Sequence, residues 1–102
     1  MNAPMFQRKN DSSYLLSGKL NYETVPFLWQ QSQDAFRALK GSITFDLGEV
    51  TQSDSSGVAL LLAWTRDFRR KSQTIHFICL PSQMLAIIQL SGLESIMPIA
   101  TT

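Results

Sequence analysis

The sequence predicts an α/β fold: a small mixed β-sheet of four to five strands with flanking α-helices, in β-β-α-β-α-β-α order. Two observations predict it. Short segments with apolar residues at every second position are separated by longer segments with apolar residues at helical spacing. The two kinds of segment alternate along most of the chain, which implies parallel strand pairs joined by helical crossovers.

Each element follows from its residues. A short strand around Phe6 pairs as a hairpin with the next one, with Asn10-Asp11 in the turn. Tyr14-Leu15-Leu16-Ser17-Gly18-Lys19-Leu20 alternates as a strand, with Tyr14, Leu16 and Leu20 on one face and Gly18 marking a bulge or close approach. Val25 to Lys40 carries Val25, Leu28, Trp29, Ser32, Phe36 and Leu39 at helical spacing. Thr24 or a neighbour caps that helix, Pro26 suits its first turn, and Gly41 ends it. Ile43 to Leu47 alternates as a strand, and Gly48 to Ser55 reads as a polar loop. Val58 to Lys71 is a second helix. Thr74 to Leu80, apolar on both faces apart from Thr74 and His76, reads as a central strand stopped by Pro81. Ser82 to Ser91 is a third helix, capped by Ser82 and ended by Gly92. The tail, Leu93 to Ala100, is a short strand or helix interrupted by Pro98.

The 102 residues correspond to one domain, with its core over about residues 6–99. Hydrophobic residues make up 44% of the chain, enough to exclude intrinsic disorder. Charged residues make up only 17%, against roughly 25% in an average soluble protein. With a net charge of +1, a strongly basic nucleic-acid module is disfavoured. The single cysteine, Cys79, forms no intrachain disulfide and reads as an inert thiol within a buried strand. The first ten residues lack the apolar stretch of a signal peptide. The longest apolar run, Val58 to Trp64, falls well short of the ~20 residues that span a bilayer. A cytoplasmic protein is therefore expected, one that meets a membrane only through a partner.

Little in the sequence supports catalysis. His76 is the only histidine and has no cysteine or carboxylate at ligand spacing, so no metal site is expected. No phosphate-binding glycine loop or nucleophile elbow occurs, and no cofactor is expected. Asp46 and Asp54 flank the polar loop and read more simply as residues that organise it than as an acid–base pair.

The informative stretch runs from Phe45 to Val58: a strand, a polar loop and then Asp54-Ser55-Ser56-Gly57, which opens the second helix. Asp and Ser are good helix caps, and the helix N-terminus favours an anion. A phosphate on Ser55 would sit there with little internal disruption. On a helical wheel, Val58, Leu61, Leu62, Thr65 and Phe68 form the core arc, with Trp64 at its border. The opposite side carries Ala59, Leu60 and Ala63, ringed by Arg66, Asp67 and Arg70. A helix apolar on two sides is either buried twice or covered by a partner. Arg66, Arg69, Arg70 and Lys71 complement the helix dipole, and they could also meet an acidic partner or, weakly, anionic lipid headgroups.

These residues carry a resemblance. Leu16-Ser17-Gly18-Lys19-Leu20, the strand Ile43 to Leu47, Asp54-Ser55-Ser56-Gly57 before an apolar helix, and Ile88-Gln89-Leu90-Ser91-Gly92-Leu93 together resemble a stand-alone STAS domain. The resemblance spans about Phe6 to Ile99 and implies the STAS fold and a protein-binding, non-enzymatic role. It makes Ser55 the position that is phosphorylated in family members, and it places Asn21 where the family has an acidic residue.

Two branches of the family fit. Trp29 within Phe27-Leu28-Trp29, the run Val58-Ala59-Leu60-Leu61-Leu62 and the short chain resemble the accessory subunit of a phospholipid-transport ABC system that maintains outer-membrane lipid asymmetry. That branch implies a partner: the ATPase subunit of a membrane complex with a permease. The loop Thr51, Asp54, Ser55, Ser56 and Gly57 and the helix face Ala59, Leu60, Ala63, Arg66 and Arg70 would contact it. The alternative branch, the anti-sigma-factor antagonists, implies a switch by phosphorylation of Ser55.

Overall fold

The computed structural model describes residues 5–37 and 41–99. Its elements run β1 (Met5–Asn10), β2 (Ser13–Leu20), α1 (Val25–Phe36), β3 (Ser42–Ser53), α2 (Ser55–Arg70), β4 (Thr74–Ile78) and α3 (Ser82–Leu90), the β-β-α-β-α-β-α order expected. The four strands form one mixed sheet in spatial order β1-β2-β3-β4. β1 and β2 make an antiparallel hairpin, and Asn10 Oδ1 accepts the Ser12 N–H at 3.0 Å in its turn. The β2–β3 and β3–β4 pairs are parallel, so each needs a crossover, supplied by α1 and α2.

One face of the sheet is buried. Tyr14, Leu16, Ile43, Phe45, Leu47, Ile75 and Phe77 point into a single core shared with the helices. The alternate residues Leu15, Thr44, Asp46 and His76 are only half-buried. The centre of the core is aromatic: the Phe45 and Trp64 rings stack with centroids 4.6 Å apart and planes 8° apart. Phe36 meets Trp64 and Phe68 edge-on at 5.9 and 5.0 Å. Such pairs add roughly 0.5–1.5 kcal/mol each beyond area burial.

Several expectations are corrected. The polar loop at Gly48 to Ser55 is mostly strand, because β3 continues to Ser53 alongside β2. β3 advances from Asp46 to Glu49 while β2 advances from Leu15 to Ser17, and from Val50 to Gln52 while β2 moves only from Gly18 to Lys19. β3 therefore carries an extra residue at two bulges, which break the period of two that marks a strand. Asp46 Oδ1 accepts the Gly48 N–H at 2.8 Å and steadies the first bulge. Gly18, at φ +90°, takes the matching turn in β2.

β4 ends at Ile78 and lies at the sheet edge, not in its centre. Beyond it the tail contributes one bridge, Phe77 to Ile99, with the Phe77 N–H donating to the Pro98 carbonyl at 2.9 Å. Pro98 has no N–H to continue a ladder. Cys79 falls past the strand end with φ +58° and is exposed, against the buried position expected. α1 ends at Phe36, and the expected positions Leu39 and Lys40 lie outside the described residues. Thr24 makes no side-chain cap. Asn21 Oδ1 instead accepts the Glu23 and Thr24 N–H groups at 2.9 and 3.1 Å, a task a carboxylate could also perform. α3 is capped by Pro81 rather than Ser82, which is its first helical residue.

Candidate functional site

The site is assembled where β3 runs into α2. Asp54 is the only residue between them and has extended backbone, φ −108° and ψ −167°. Its Oδ1 accepts the Ser56 N–H at 2.8 Å, so the acid satisfies one of the free donors of the first turn. Asp54 N–H donates to the Leu20 carbonyl at 3.1 Å, which ties the start of α2 to the end of β2. Ser55 and Ser56 are thus the first turn of the helix itself, not a loop before it. Ser55 is exposed, Ser56 half-buried, and Thr51 exposed on the last stretch of β3.

Gly57 is buried and its identity is dictated by space. A Cβ there would stand 3.0 Å from Leu20 Cβ and well inside van der Waals distance of Ser53 Oγ. The glycine of the signature therefore lets α2 lie directly on the ends of β2 and β3, and that close approach leaves Ser55 at the rim.

Along α2 the buried residues are Gly57, Val58, Leu60, Leu61, Trp64, Thr65, Asp67 and Phe68, covering about half the circumference. This corrects the wheel. Leu60, expected on the outward side, is 2% exposed, and Trp64, expected at the border, is fully buried. Leu62, expected in the core, is half-buried. The cause is α1: Trp64 Nε1 donates to Ser32 Oγ at 2.8 Å, and Ser32 donates onward to the Trp29 carbonyl at 2.7 Å. Packing of α1 turns the buried arc toward Leu60 and Trp64. The outward side keeps Ala59, Leu62, Ala63, Arg66, Arg69 and Arg70.

Between α1 and α2 lies an open groove. One part, about 250 Å³, is walled by Val25, Pro26, Trp29, Ala59, Leu60 and Ala63. A second, about 630 Å³, is lined by Trp29, Ala63, Arg66, Arg69 and Arg70. A more polar cleft of about 300 Å³ borders the start of α2 and includes Asn21, Tyr22, Gln52, Asp54 and Gln83. The structure thus brings Ala59, Ala63, Arg66 and Arg70 together along one groove and sets Asp54, Ser55 and Ser56 at the end of the same helix. Leu60 contributes from beneath as wall and core.

Trp29 and Arg69 in the groove, and Gln83 beside the cap, were not among the candidate site residues. The helical period of α1 marks Trp29 as apolar, but nothing in it says which neighbour the ring meets. Gln83 comes from an element thirty residues on, and no sequence signal marked it.

The chemistry available is that of contact. Among the described residues no group of three or more His, Cys, Asp or Glu side chains could hold a metal ion. Asp46 is engaged by the Gly48 N–H and by Lys9 Nζ at 3.6 Å, and Asp54 by the helix cap, so the two carboxylates serve separate structural roles. Among the described residues no helix is long and apolar enough to cross a membrane.

Comparison with known proteins places these features. A family profile described as "Mlab, STAS domain" matches residues 6–98. The intermembrane phospholipid transport system binding protein MlaB of Haemophilus influenzae is 30% identical over 92 residues, which is 86% of this chain and 88% of that protein. Among solved structures, a chain of the Acinetobacter MlaFEDB complex in an ATP-bound conformation superposes with a TM-score of 0.77 at 24% identity, over 96% of this chain and all of that one. The unphosphorylated anti-sigma factor antagonist SpoIIAA superposes with a TM-score of 0.76 at 18% identity, over 98% of this chain and 88% of that one. An anti-sigma factor antagonist from Mycobacterium paratuberculosis gives 0.78 at 20% identity, over all of this chain and 87% of that one. At these identities the structural likenesses establish the STAS fold.

Proposed function

The chain belongs to the MlaB STAS-domain family, and from that premise we propose that it is a non-enzymatic cytoplasmic accessory subunit of a phospholipid-transport ABC complex. It binds and stabilises the ATPase subunit, the counterpart of MlaF, and so supports outer-membrane lipid asymmetry. One observation carries the reading. Ser55, exposed on the first turn of α2 that Asp54 caps, lies on the same side of the helix as the exposed Ala59 and half-buried Ala63 of an apolar groove. A rigid helix with a polar tip and an uncovered apolar flank suits a protein interface, where a small dry centre sits within a polar rim.

Preorganisation matters more than area here. The first turn is fixed by its cap and by the Asp54–Leu20 backbone bond, so little ordering entropy remains to be lost on docking. Ser55 sits at the edge of this contact. A phosphate or carboxylate there suits the free helix but would be desolvated under a partner.

The test is co-purification of the chain with the ATPase and permease subunits of the candidate transporter. Retention of the chain by the complex, and loss of soluble ATPase when it is omitted, is the expected result. A complex that assembles and holds its ATPase equally well without the chain would overturn the proposal.

A second reading rests on the exposed Ser55 at a helix N-terminus together with the SpoIIAA-like fold. An anti-sigma-factor antagonist would be phosphorylated on Ser55 by a partner kinase and would capture that kinase only when unphosphorylated. Incubation with the candidate kinase and ATP, followed by mass measurement, separates the two readings: unmodified Ser55 rejects the antagonist.

A further inference from the structure

The groove between α1 and α2 changes character along its length. Its first half is almost wholly apolar, and its second half is rimmed by arginines. Trp29 and Ala63 border both halves, so the two are continuous. From Ala59 to Arg70 the groove follows about three turns of α2, roughly 16 Å.

The positive charge is neutralised from within only in part. Asp67, behind the groove, pairs with Arg70 at 3.3 Å and Lys71 at 3.2 Å. Among the described residues Arg66 and Arg69 have no carboxylate partner, and both are exposed. A planar guanidinium pairs best with carboxylates or phosphates in a two-bonded geometry.

Shape decides between an acyl chain and a helix. Small-ligand sites bury most of their ligand, whereas this groove is open along one side, with Ala59 and all three arginines exposed. A helix needs only one face covered. Ala59 and Ala63, one turn apart, project little from α2 and permit close approach of a second helix axis.

Resting on the reading that this chain docks on the transporter ATPase, we infer that the groove holds an acidic amphipathic helix of that subunit. Its apolar stripe lies over Trp29 and Ala63, and at least two of its carboxylates meet Arg66 and Arg69. The apolar half supplies affinity. The arginine half sets direction and register, since a helix laid in reverse would place its acids against Ala59 and leave the guanidiniums unpaired.

The experiment measures affinity of the purified chain for the ATPase subunit at low and high salt, for wild type and for Arg66→Glu combined with Arg69→Glu. Circular dichroism confirms that the variant folds. A photo-crosslinking amino acid at position 63 then identifies what lies over the groove. The expected result is at least a tenfold weaker complex for the variant, a salt dependence seen only in wild type, and a crosslink to an ATPase helix bearing two or more carboxylates on one face.

Equal affinity of wild type and variant, or a crosslink to a segment without carboxylates, overturns the inference. So does arginine-dependent binding to phosphatidylglycerol vesicles, read by co-sedimentation, with ATPase affinity unchanged. A chain that loses the ATPase on Ser55→Glu but not on charge reversal leaves the proposed function standing and removes the acidic helix. A wild-type chain that never binds the ATPase removes both.

Discussion

The indole N–H of Trp64 donates to the hydroxyl of Ser32 at 2.8 Å, and both residues are fully buried. This bond joins α2 to α1 and sets the rotation of α2 about its axis, and with it the residues that the helix presents outward. Ser32→Ala would leave the indole donor buried without a partner, at a cost of about 1–3 kcal/mol. The expected outcome is a lower midpoint of denaturant unfolding with an unchanged slope, because the loss is local. A midpoint equal to wild type would show that the bond contributes nothing.

Gly57→Ala tests the close approach of α2 to the sheet. The added methyl would crowd Leu20 Cβ and Ser53 Oγ, and overpacking of this kind costs about 1–3 kcal/mol. Combining it with Ser53→Ala removes the hydroxyl contact but not the Leu20 contact, so partial recovery of thermal stability is expected. Full recovery would mean that Leu20 yields.

Asp54 is expected to act as a cap and not as an acid. Asp54→Asn keeps an oxygen for the Ser56 N–H, while Asp54→Ala removes it. The alanine variant is expected to lose about 0.5–2 kcal/mol and the asparagine variant much less, as read by chemical denaturation. Equal loss in both would point to the charge instead of the hydrogen bond.

Leu60 and Ala63 are close along one helix yet should fail differently. Leu60 is 2% exposed within the core, so Leu60→Ala is expected to cost about 2–5 kcal/mol of stability. Ala63 borders the groove, so Ala63→Asp is expected to keep the melting temperature within a few degrees and to weaken ATPase binding. Thermal melts and a binding titration on both variants check the contrast.

The order of elements and most of the core were legible because their periods are local properties. Tyr14, Leu16 and Leu20 alternate in β2, and Val58, Leu61, Thr65 and Phe68 recur in α2, as their burial requires. The end of β3 was not legible. Its two bulges set Val50 and Ser53 inward with exposed Glu49, Thr51 and Gln52 around them, a spacing that imitates a polar loop. Leu60 was misplaced for another reason. A wheel gives angles between side chains but not the direction from which a neighbouring helix arrives, and here α1 arrives on the side of Leu60 and Trp64. The edge position of β4 was hidden too, because both its faces are partly covered: Ile75 and Phe77 by the core, His76 and Ile78 by their half-buried place on the other face.

The affinity of the purified chain for the transporter ATPase subunit, compared between wild type and Ser55→Glu, tests the proposed role most directly. Glu at the first turn should leave the free chain folded, since a helix N-terminus favours an acid by about 0.3–1 kcal/mol. Buried under a partner, the same charge is expected to weaken binding at least tenfold, about 1.4 kcal/mol. Micromolar or tighter binding by wild type with that loss in the variant is the predicted result. Undetectable binding by wild type, or equal binding by a folded variant, would contradict a docking surface at the start of α2.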